Sequence, residues 1–216
     1  MRCTGTKMES WWVLAHLDGR EEPLELTGKG GIELMKKFVV LLLVLSAGLI
    51  FASQTSVNFS EPVLITSAGQ SAGATMMKVL SMRAKLDFTF EKLATADMLE
   101  NFKSLVIVVG ASSKGLGSAG IDVDQEIERV TLLVEKAREL GIPVIIAHIE
   151  GTSRRGPTSD RLLDLLLPYA DLVIVTKSGN QDGKFTDFCQ KENKPLATVD
   201  TTSEVQGVLE DLYSKR

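Results

Sequence analysis

Residues 69–73, GQSAG, place a serine at the centre of a G-x-S-x-G motif. This pattern surrounds the nucleophilic serine of α/β-hydrolases. Asp122 and His148 follow Ser71 in the chain order serine, acid, histidine that those enzymes use. In such a triad His148 would take the proton of the Ser71 hydroxyl during acyl transfer. A serine-dependent hydrolase or transferase is therefore one hypothesis for the chain.

The residues around Ser71 argue against that hypothesis. A nucleophile elbow turns directly off its strand, whereas residues 67–69 separate Ser71 from the end of the preceding apolar run. A simpler role for Ser71 is the N-cap or first turn of the following helix. A simpler role for His148, which ends another apolar run, is that of a buried histidine bonded to the backbone.

A second stretch, residues 106–122, resembles the phosphate-binding loop of short-chain dehydrogenases. Gly110, Gly115 and Gly117 are spaced one residue too widely for that fingerprint, which belongs on the first strand and not the third. Helical periodicity starts only near Asp122, so no helix N-terminus would meet a pyrophosphate at the glycines. We therefore expect no dinucleotide and no other cofactor.

Short apolar runs alternate with amphipathic stretches from about residue 61 onwards. The runs cover residues 62–66, 87–93, 104–110, 142–149, 170–176 and 195–200. Strands that are apolar throughout and separated by helices predict a parallel sheet covered on both faces. With right-handed crossovers the predicted fold class is α/β: a doubly wound parallel sheet of five or six strands in a three-layer sandwich, flavodoxin-like or Rossmann-like.

The amphipathic stretches predict helices, of which residues 122–140 form the clearest. Asp122 suits its N-terminus, and Gly141 follows as a C-terminal stop. The linker 94–103 is short, with room for only about one helical turn between the flanking runs, so the second crossover is expected to be irregular.

Two further helices carry specific expectations. In the first helix Met76, Val79, Leu80 and Arg83 follow helical spacing, which predicts an amphipathic helix with this set on one face. In the helix before the fifth run, Thr158 or Ser159 is expected to be the N-cap.

The loops at the carboxyl ends of the strands are the expected binding site, since ligands of doubly wound sheets lie there. These loops are polar and glycine-rich, and backbone N–H groups in such loops favour anions. The stretch 110–122, taken as a long loop without secondary structure, also favours function. The residues predicted to bind a small anionic molecule are Ser67, Gln70, Ser71, Ser112, Ser113, Lys114, Arg154, Arg155 and Lys177.

Composition excludes other classes. The 216 residues carry a net charge of −4 without a basic stripe, which disfavours nucleic acid as a partner. Two cysteines cannot supply a metal cluster, so no metal site is expected. The oligomeric state is left open by the sequence.

The N-terminal part has the layout of a secretory signal peptide. In residues 35–53 two lysines precede an uncharged run, Phe38 to Phe51, and small residues follow. The run is short for a transmembrane helix, which needs about 20 residues. We expect export to the periplasm or beyond, with membrane contact only through the uncleaved segment. Residues 1–34 are expected to be a misassigned, disordered upstream extension.

TSAGQSAG (residues 66–73) together with VVGASSKGLGSAGID (residues 108–122) resembles a family of small bacterial proteins, domain-of-unknown-function family 6305. The resemblance covers about residues 62–213. It implies an α/β domain behind a signal peptide and supplies no catalytic residues. We therefore place a single α/β domain at residues 61–216.

Three functions remain open at this stage. The first is an exported module that binds a small anionic ligand in the cleft at the carboxyl ends of the strands. The second is the hydrolase or transferase that would use Ser71 with His148. The third is an envelope protein-interaction module without a small-molecule site.

Overall fold

A computed structural model describes residues 57–214. They contain one sheet of six parallel strands in the order β2-β1-β3-β4-β5-β6. The strands are Val63–Ala68 (β1), Phe88–Phe90 (β2), Ser104–Val109 (β3), Val144–His148 (β4), Leu172–Thr176 (β5) and Leu196–Val199 (β6). The predicted extension 1–34 and signal segment 35–53 lie outside the described residues.

Helices connect the strands on both sides of the sheet. The α-helices are Gly73–Arg83 (α1), Ser113–Ala119 (α2), Val123–Leu140 (α3), Pro157–Leu166 (α4), Lys184–Lys191 (α5) and Val205–Leu212 (α6). Short 3₁₀ helices are Ala96–Asn101, Gly151–Arg154, Leu167–Tyr169, Lys177–Asn180 and Thr202–Glu204. None of the helices within residues 57–214 is long and apolar enough to cross a lipid bilayer.

The central strands are buried at every residue because both faces of the sheet are covered. In β3, Leu105 and Ile107 join the core formed with α3, α4 and α5, whereas Val106 and Val108 join the core formed with α1 and α6. Successive residues of a strand point to opposite faces, so an uninterrupted apolar run suits only a sheet of this kind. The predicted α/β fold with a doubly wound parallel sheet is confirmed, with six strands.

Helix α3 begins and ends where the sequence indicates. The Asp122 carboxylate accepts from the Gln125 N–H at 2.8 Å, and the Gln125 side chain accepts from the Asp122 N–H at 2.9 Å, which together form a capping box. Gly141 follows in the left-handed conformation, φ +67°.

Two helix predictions are wrong in detail. In α1 the buried apolar face holds Met77 and Leu80, while Met76 and Val79 are 42% and 43% exposed. The face that meets the sheet is rich in small residues, so side-chain size did not mark it. In α4 the N-cap is Gly156 and not Thr158 or Ser159. Pro157 is the first helical residue, because the fixed φ of proline suits that position.

Tyr213, just after α6, should make the free energy of unfolding depend on pH. Its ring is buried, its hydroxyl lies 2.9 Å from the Ser104 Oγ, and burial raises its pKa to about 12. An unfolded chain loses this proton near pH 10, whereas the folded one keeps it. The free energy of unfolding should therefore be unaffected below about pH 10 and fall by up to about 2–3 kcal/mol toward pH 12.

Denaturant unfolding of the wild type and of Tyr213→Phe between pH 8 and 12 measures that effect. Phenylalanine cannot ionise, so the variant should lose the part of the slope that Tyr213 contributes. Equal slopes in the two proteins would contradict the assignment.

Candidate functional site

The loops that follow β1 and β3 lie side by side at the carboxyl edge of the sheet. Gln70 and Ala111 form an antiparallel bridge, the Ser71 N–H donates to the Gly110 carbonyl at 3.2 Å, and the Ser112 N–H donates to the Gly69 carbonyl at 2.8 Å. The strand order changes direction between β1 and β3, which is where ligands of doubly wound folds usually lie.

The glycine-rich stretch serves this close approach. A Cβ atom on Gly115 would collide with the carbonyl oxygen of Gln70, and one on Gly69 would lie 2.6 Å from the carbonyl oxygen of Gly110. Gly69 also has φ +98°, which favours glycine. Packing of one loop against the other thus accounts for these glycines without a bound phosphate.

The prediction that residues 110–122 lack secondary structure is wrong. Ser113–Ala119 forms the short helix α2, and the Ser112 hydroxyl caps it by accepting from the Gly115 N–H at 3.2 Å. The sequence shows no helical signal here, because two of the residues are glycines, which disfavour helices, and only one residue, Leu116, is buried. The arguments from loop length and from a missing helix no longer hold, whereas the glycine spacing and strand position still disfavour a dinucleotide.

A buried carboxylate, Glu126, holds the loop after β1. It is 1% exposed and accepts from the Gly69 N–H at 2.7 Å and from the Gln70 amide at 3.0 Å. Arg129 donates to it at 2.8 Å and to the Ser67 carbonyl at 2.5 Å. The Ser67 hydroxyl accepts from the Gln70 N–H at 3.1 Å, so both predicted ligand-binding side chains are engaged within the protein.

A second carboxylate, Glu150, is the hydrogen-bond partner of Ser71. The Ser71 hydroxyl donates to one oxygen of Glu150, and Arg154 Nε lies 3.3 Å from the other. The Glu150 side chain is 7% exposed. A Cβ atom on Gly73 would lie 2.6 Å from Glu150, and one on Gly110 would lie 2.6 Å from the Ser71 hydroxyl. Two glycines thus leave room for this pair.

Glu150 supplies a negative charge at the start of α1. In the described structure this helix has no acidic residue in its first turn and no side-chain cap, and its N-cap is Ala72 and not Ser71. A helix N-terminus after the first strand is where nucleotide-binding folds place a phosphate. Here the chain places its own carboxylate beside that position, so an anionic ligand would meet repulsion there.

His148 does not contact Ser71 through any hydrogen bond within residues 57–214. Its ring is fully buried, with Nδ1 2.9 Å from the Val109 carbonyl oxygen and Nε2 3.0 Å from that of Gly151. Asp122 caps α3 instead of orienting the histidine. The three residues of the G-x-S-x-G hypothesis therefore bond to separate partners.

The predicted cations are engaged to different degrees. Arg155 donates to Asp160 at 2.9 Å, and two of its nitrogens donate to the carboxylate oxygens of Asp182 at 3.0 and 2.8 Å. The hydrogen bond from Arg155 lowers the pKa of Asp182 to about 2, so the pair stays charged at any ordinary pH. Lys177 forms a surface ion pair with Asp200, which raises the pKa of Lys177.

Arg154 and Lys114 remain the more available cations. Arg154 is 39% exposed and contacts Glu150 only through Nε, at 3.3 Å. Lys114 is exposed and forms no ion pair with any described residue.

A cavity of about 180 Å³ lies at the start of α4, and Arg154 lines it whereas Lys114 does not. Its lining includes Ala111 and Ser113 from the loop after β3, Arg154 from the loop after β4, and Thr158 from α4. No side chain described in the structure caps α4, whose N-cap is Gly156. The first turn of α4 holds Asp160, whose carboxylate pairs with Arg155. The first-turn residues Thr158 and Ser159 line the same cavity as Arg154, and their backbone N–H groups belong to the positive end of the helix.

The cavity relates only partly to the predicted site. It includes Ser113, Arg154 and Arg155 of the predicted residues. The other six predicted residues do not line the cavity. Ser67, Gln70, Ser71 and Ser112 bond within the protein, Lys177 pairs with Asp200, and Lys114 is exposed.

Glu126 and Glu150 were missed by the sequence analysis. Glu150 directly follows the apolar run 142–149, and an acidic residue at the carboxyl end of a central strand was an available signal. Glu126 lies in the first turn of α3 and looked like a surface residue that favours the helix dipole.

A larger cavity, about 400 Å³, lies at the opposite edge of the sheet. Arg138 and Lys194 line it, but so do Asp171 and Gly141 at the C-terminus of α3. A helix C-terminus carries negative partial charge, and Arg138 also lies over the Tyr169 ring at 4.1 Å. The charges there are thus balanced by their surroundings.

Comparisons with known proteins add the following. A family model described as "Domain of unknown function (DUF6305)" matches residues 60–213. No curated protein matches the chain significantly.

Solved structures with similarity include a GDSL-like lipase from Bacteroides thetaiotaomicron, at 11% identity and TM-score 0.31, which covers 63% of this chain and 66% of that one. A putative acylhydrolase from Bacteroides fragilis is similar at 10% identity and TM-score 0.32, covering 67% and 69%. A psychrotrophic esterase from Pseudoalteromonas is similar at 14% identity and TM-score 0.30, and the match covers 72% of this chain and 94% of that one. Likeness at this level says nothing about activity.

Proposed function

This chain belongs to the family of the domain of unknown function DUF6305, and we propose that its domain is a binding module for a small anionic ligand at the carboxyl edge of the sheet. One observation carries the proposal: the N-terminus of α4 and the Arg154 guanidinium share one cavity of about 180 Å³. Backbone N–H groups at a helix start and an arginine are the groups that bind phosphate and carboxylate in proteins.

The cavity offers more donors than the protein uses. Arginine has five N–H donors, and Arg154 directs only Nε toward Glu150. The hydroxyls of Ser113 and Thr158 add neutral donors at the lining. Lys114, next to Ser113, contributes longer-range attraction that salt would screen.

The volume of the cavity limits the size of the ligand. Sites for drug-sized molecules measure about 300–1,000 Å³, so a cavity of about 180 Å³ suits a smaller group. We take the ligand to be a phosphate, a sulfate or a short carboxylate, or such a group on a larger molecule that projects into solvent.

The hydrolase alternative has weaker support. Ser71 is 4% exposed and its hydroxyl donates to Glu150, which leaves it little access to a substrate. Both ring nitrogens of His148 face backbone carbonyls, so neither is directed at Ser71 as a general base would be.

We also propose that the module acts outside the cytoplasm. Support comes from residues 35–53, where positive charge, an apolar run and small residues follow in the order of a signal peptide.

Calorimetric titration with inorganic phosphate tests the binding proposal. We expect one saturable site whose affinity falls as salt rises. Arg154→Ala should weaken binding about 10- to 100-fold, because a charge-assisted hydrogen bond contributes roughly 1.5–3 kcal/mol. Lys114→Ala should have a smaller effect because that side chain is exposed.

Lys191→Ala is the matched control. It removes one cation that is 81% exposed on α5 and does not line the cavity. Equal losses of affinity in Arg154→Ala and Lys191→Ala would indicate nonspecific charge attraction and contradict the proposed site. Unfolding midpoints of both variants should stay close to that of the wild type.

A further inference from the structure

The larger cavity, at the amino ends of the strands, is separate from the anion site proposed above. It lies where α3 ends, β4 begins and the chain enters β5, and its volume is about 400 Å³. Small-molecule sites usually measure about 300–1,000 Å³. The five residues of β4 place it roughly 16 Å from the carboxyl edge, at about 3.3 Å per residue. A ligand in it would therefore not compete with an anion at the start of α4.

One part of the lining is cationic. Arg138, in the last turn of α3, lies over the Tyr169 ring with its guanidinium carbon 4.1 Å from the ring centre. Stacking orients the guanidinium plane, and the N–H groups at its edge suit a planar acceptor such as a carboxylate. Within residues 57–214 neither Arg138 nor Lys194, which lines the same cavity, forms an ion pair. Both cations can therefore turn to a ligand carboxylate.

Another part of the lining is anionic. One Asp171 oxygen accepts from the Val144 N–H at 2.8 Å, and the Asp171 N–H donates to the Val144 carbonyl at 2.8 Å. These two bonds fix the carboxylate, whose second oxygen keeps acceptor capacity. Gly141 brings the C-terminus of α3, with its negative partial charge, into the same lining. Asp171 and this helix end together favour an ammonium group.

Apolar side chains make up most of the remaining lining. Val134 and Val144 belong to the core, whereas Ile142 and Pro168 lie closer to the surface. Packing of aliphatic groups against them removes apolar area from water, which favours binding. The cavity thus combines charges of both signs with an aliphatic surface.

We propose that this cavity binds a zwitterionic amino acid with an aliphatic side chain. The ligand carboxylate accepts from Arg138 and Lys194, its ammonium donates to Asp171, and its side chain packs on the apolar lining. A ligand with a single charge satisfies only part of this lining, because an anion meets Asp171 and a cation meets the two basic side chains. The inference does not depend on the function proposed for the carboxyl edge.

Calorimetric titration of the full-length protein with L-leucine tests the proposal against two analogues that each lack one charge. Isocaproate keeps the side chain and the carboxylate without the ammonium, and isoamylamine keeps the side chain and the ammonium without the carboxylate. We expect one saturable leucine site and at least about tenfold weaker binding of both analogues, since each leaves charged lining groups without a partner.

Variants locate the site. Arg138→Ala should weaken leucine binding about 10- to 100-fold, and Asp171→Asn about tenfold, while the asparagine oxygen can still accept from the Val144 N–H. Arg83→Ala is the matched control, because it removes an exposed arginine from the last turn of α1 and does not line the cavity. Its affinity for leucine should stay within about twofold of the wild type, since distant exposed charges are screened.

Three results would contradict the proposal. Absence of saturable leucine binding at millimolar concentrations, or equal losses of affinity in Arg138→Ala and Arg83→Ala, would overturn the site. Isocaproate binding as tight as that of leucine would overturn the zwitterion, because the ammonium would then contribute nothing. The ligand series on the wild type decides the question even if Asp171→Asn does not fold. Phosphate binding at the start of α4 is measured separately, so each proposal can fail without the other.

Discussion

Glu126→Ala is expected to lower the free energy of unfolding by about 3–5 kcal/mol, the usual cost of breaking a buried ion pair from one side. The variant leaves Arg129, whose side chain is 12% exposed, without its carboxylate partner. It also leaves the Gly69 N–H and the Gln70 amide without the oxygen that they share. Denaturant unfolding at neutral pH measures the loss.

Two variants on the same helix sharpen this test. Glu128→Ala removes an exposed carboxylate two residues away and should change stability by no more than about 0.5 kcal/mol. Glu126→Gln keeps an acceptor for the Gly69 N–H but loses the charge opposite Arg129. Its loss of stability should therefore lie between those of Glu126→Ala and Glu128→Ala. If Glu126→Ala cost no more than Glu128→Ala, the buried network would not be what holds the loop after β1.

Ile146→Ala should cost about 2–4 kcal/mol through loss of buried contacts and the cavity left behind. Ile146 is fully buried in β4 and pairs with Ile107 of β3 on one side and Val173 of β5 on the other. The rigid strands around it leave the site little freedom to collapse. Urea unfolding of the wild type and the variant, fitted with one common dependence of the free energy on urea concentration, measures the loss of stability.

Leu132→Ala is the control for core truncation. It removes a side chain of similar size that is 53% exposed on α3, and alanine is the best helix former. Its expected effect lies within about 0.5 kcal/mol. A similar cost for both variants would contradict the position of Ile146 at the centre of a sheet covered on both faces.

The strands were predictable because their signal is local. Most residues buried on either face are apolar, so β3, β4 and β5 appear in the sequence as apolar runs with a polar residue only at one end. Helix α3 was predictable for the same reason, since Asp122 and Gly141 mark its ends by their own backbone and side-chain chemistry. Helix α2 was not, because two of its seven residues are glycine.

The candidate site was less predictable because its contacts join distant parts of the chain. Ser71 and Glu150 are separated by 79 positions, and Gly69 and Glu126 by 57. Residue types and spacing suggested a histidine partner for Ser71, whereas strand order and loop direction bring a glutamate there. The anion site that we propose at the start of α4 keeps only Ser113, Arg154 and Arg155 of the residues predicted from the sequence.

Backbone amide NMR during a titration with inorganic phosphate tests the proposed site most directly. We predict saturable shifts of the amide signals of Ser113, Arg154, Thr158 and Ser159, all with one affinity. Amides of residues 69–74, beside the Glu150 carboxylate, should stay nearly unchanged. Shifts centred on residues 69–74, or no saturable shift at the start of α4, would contradict a small-anion site in this cavity.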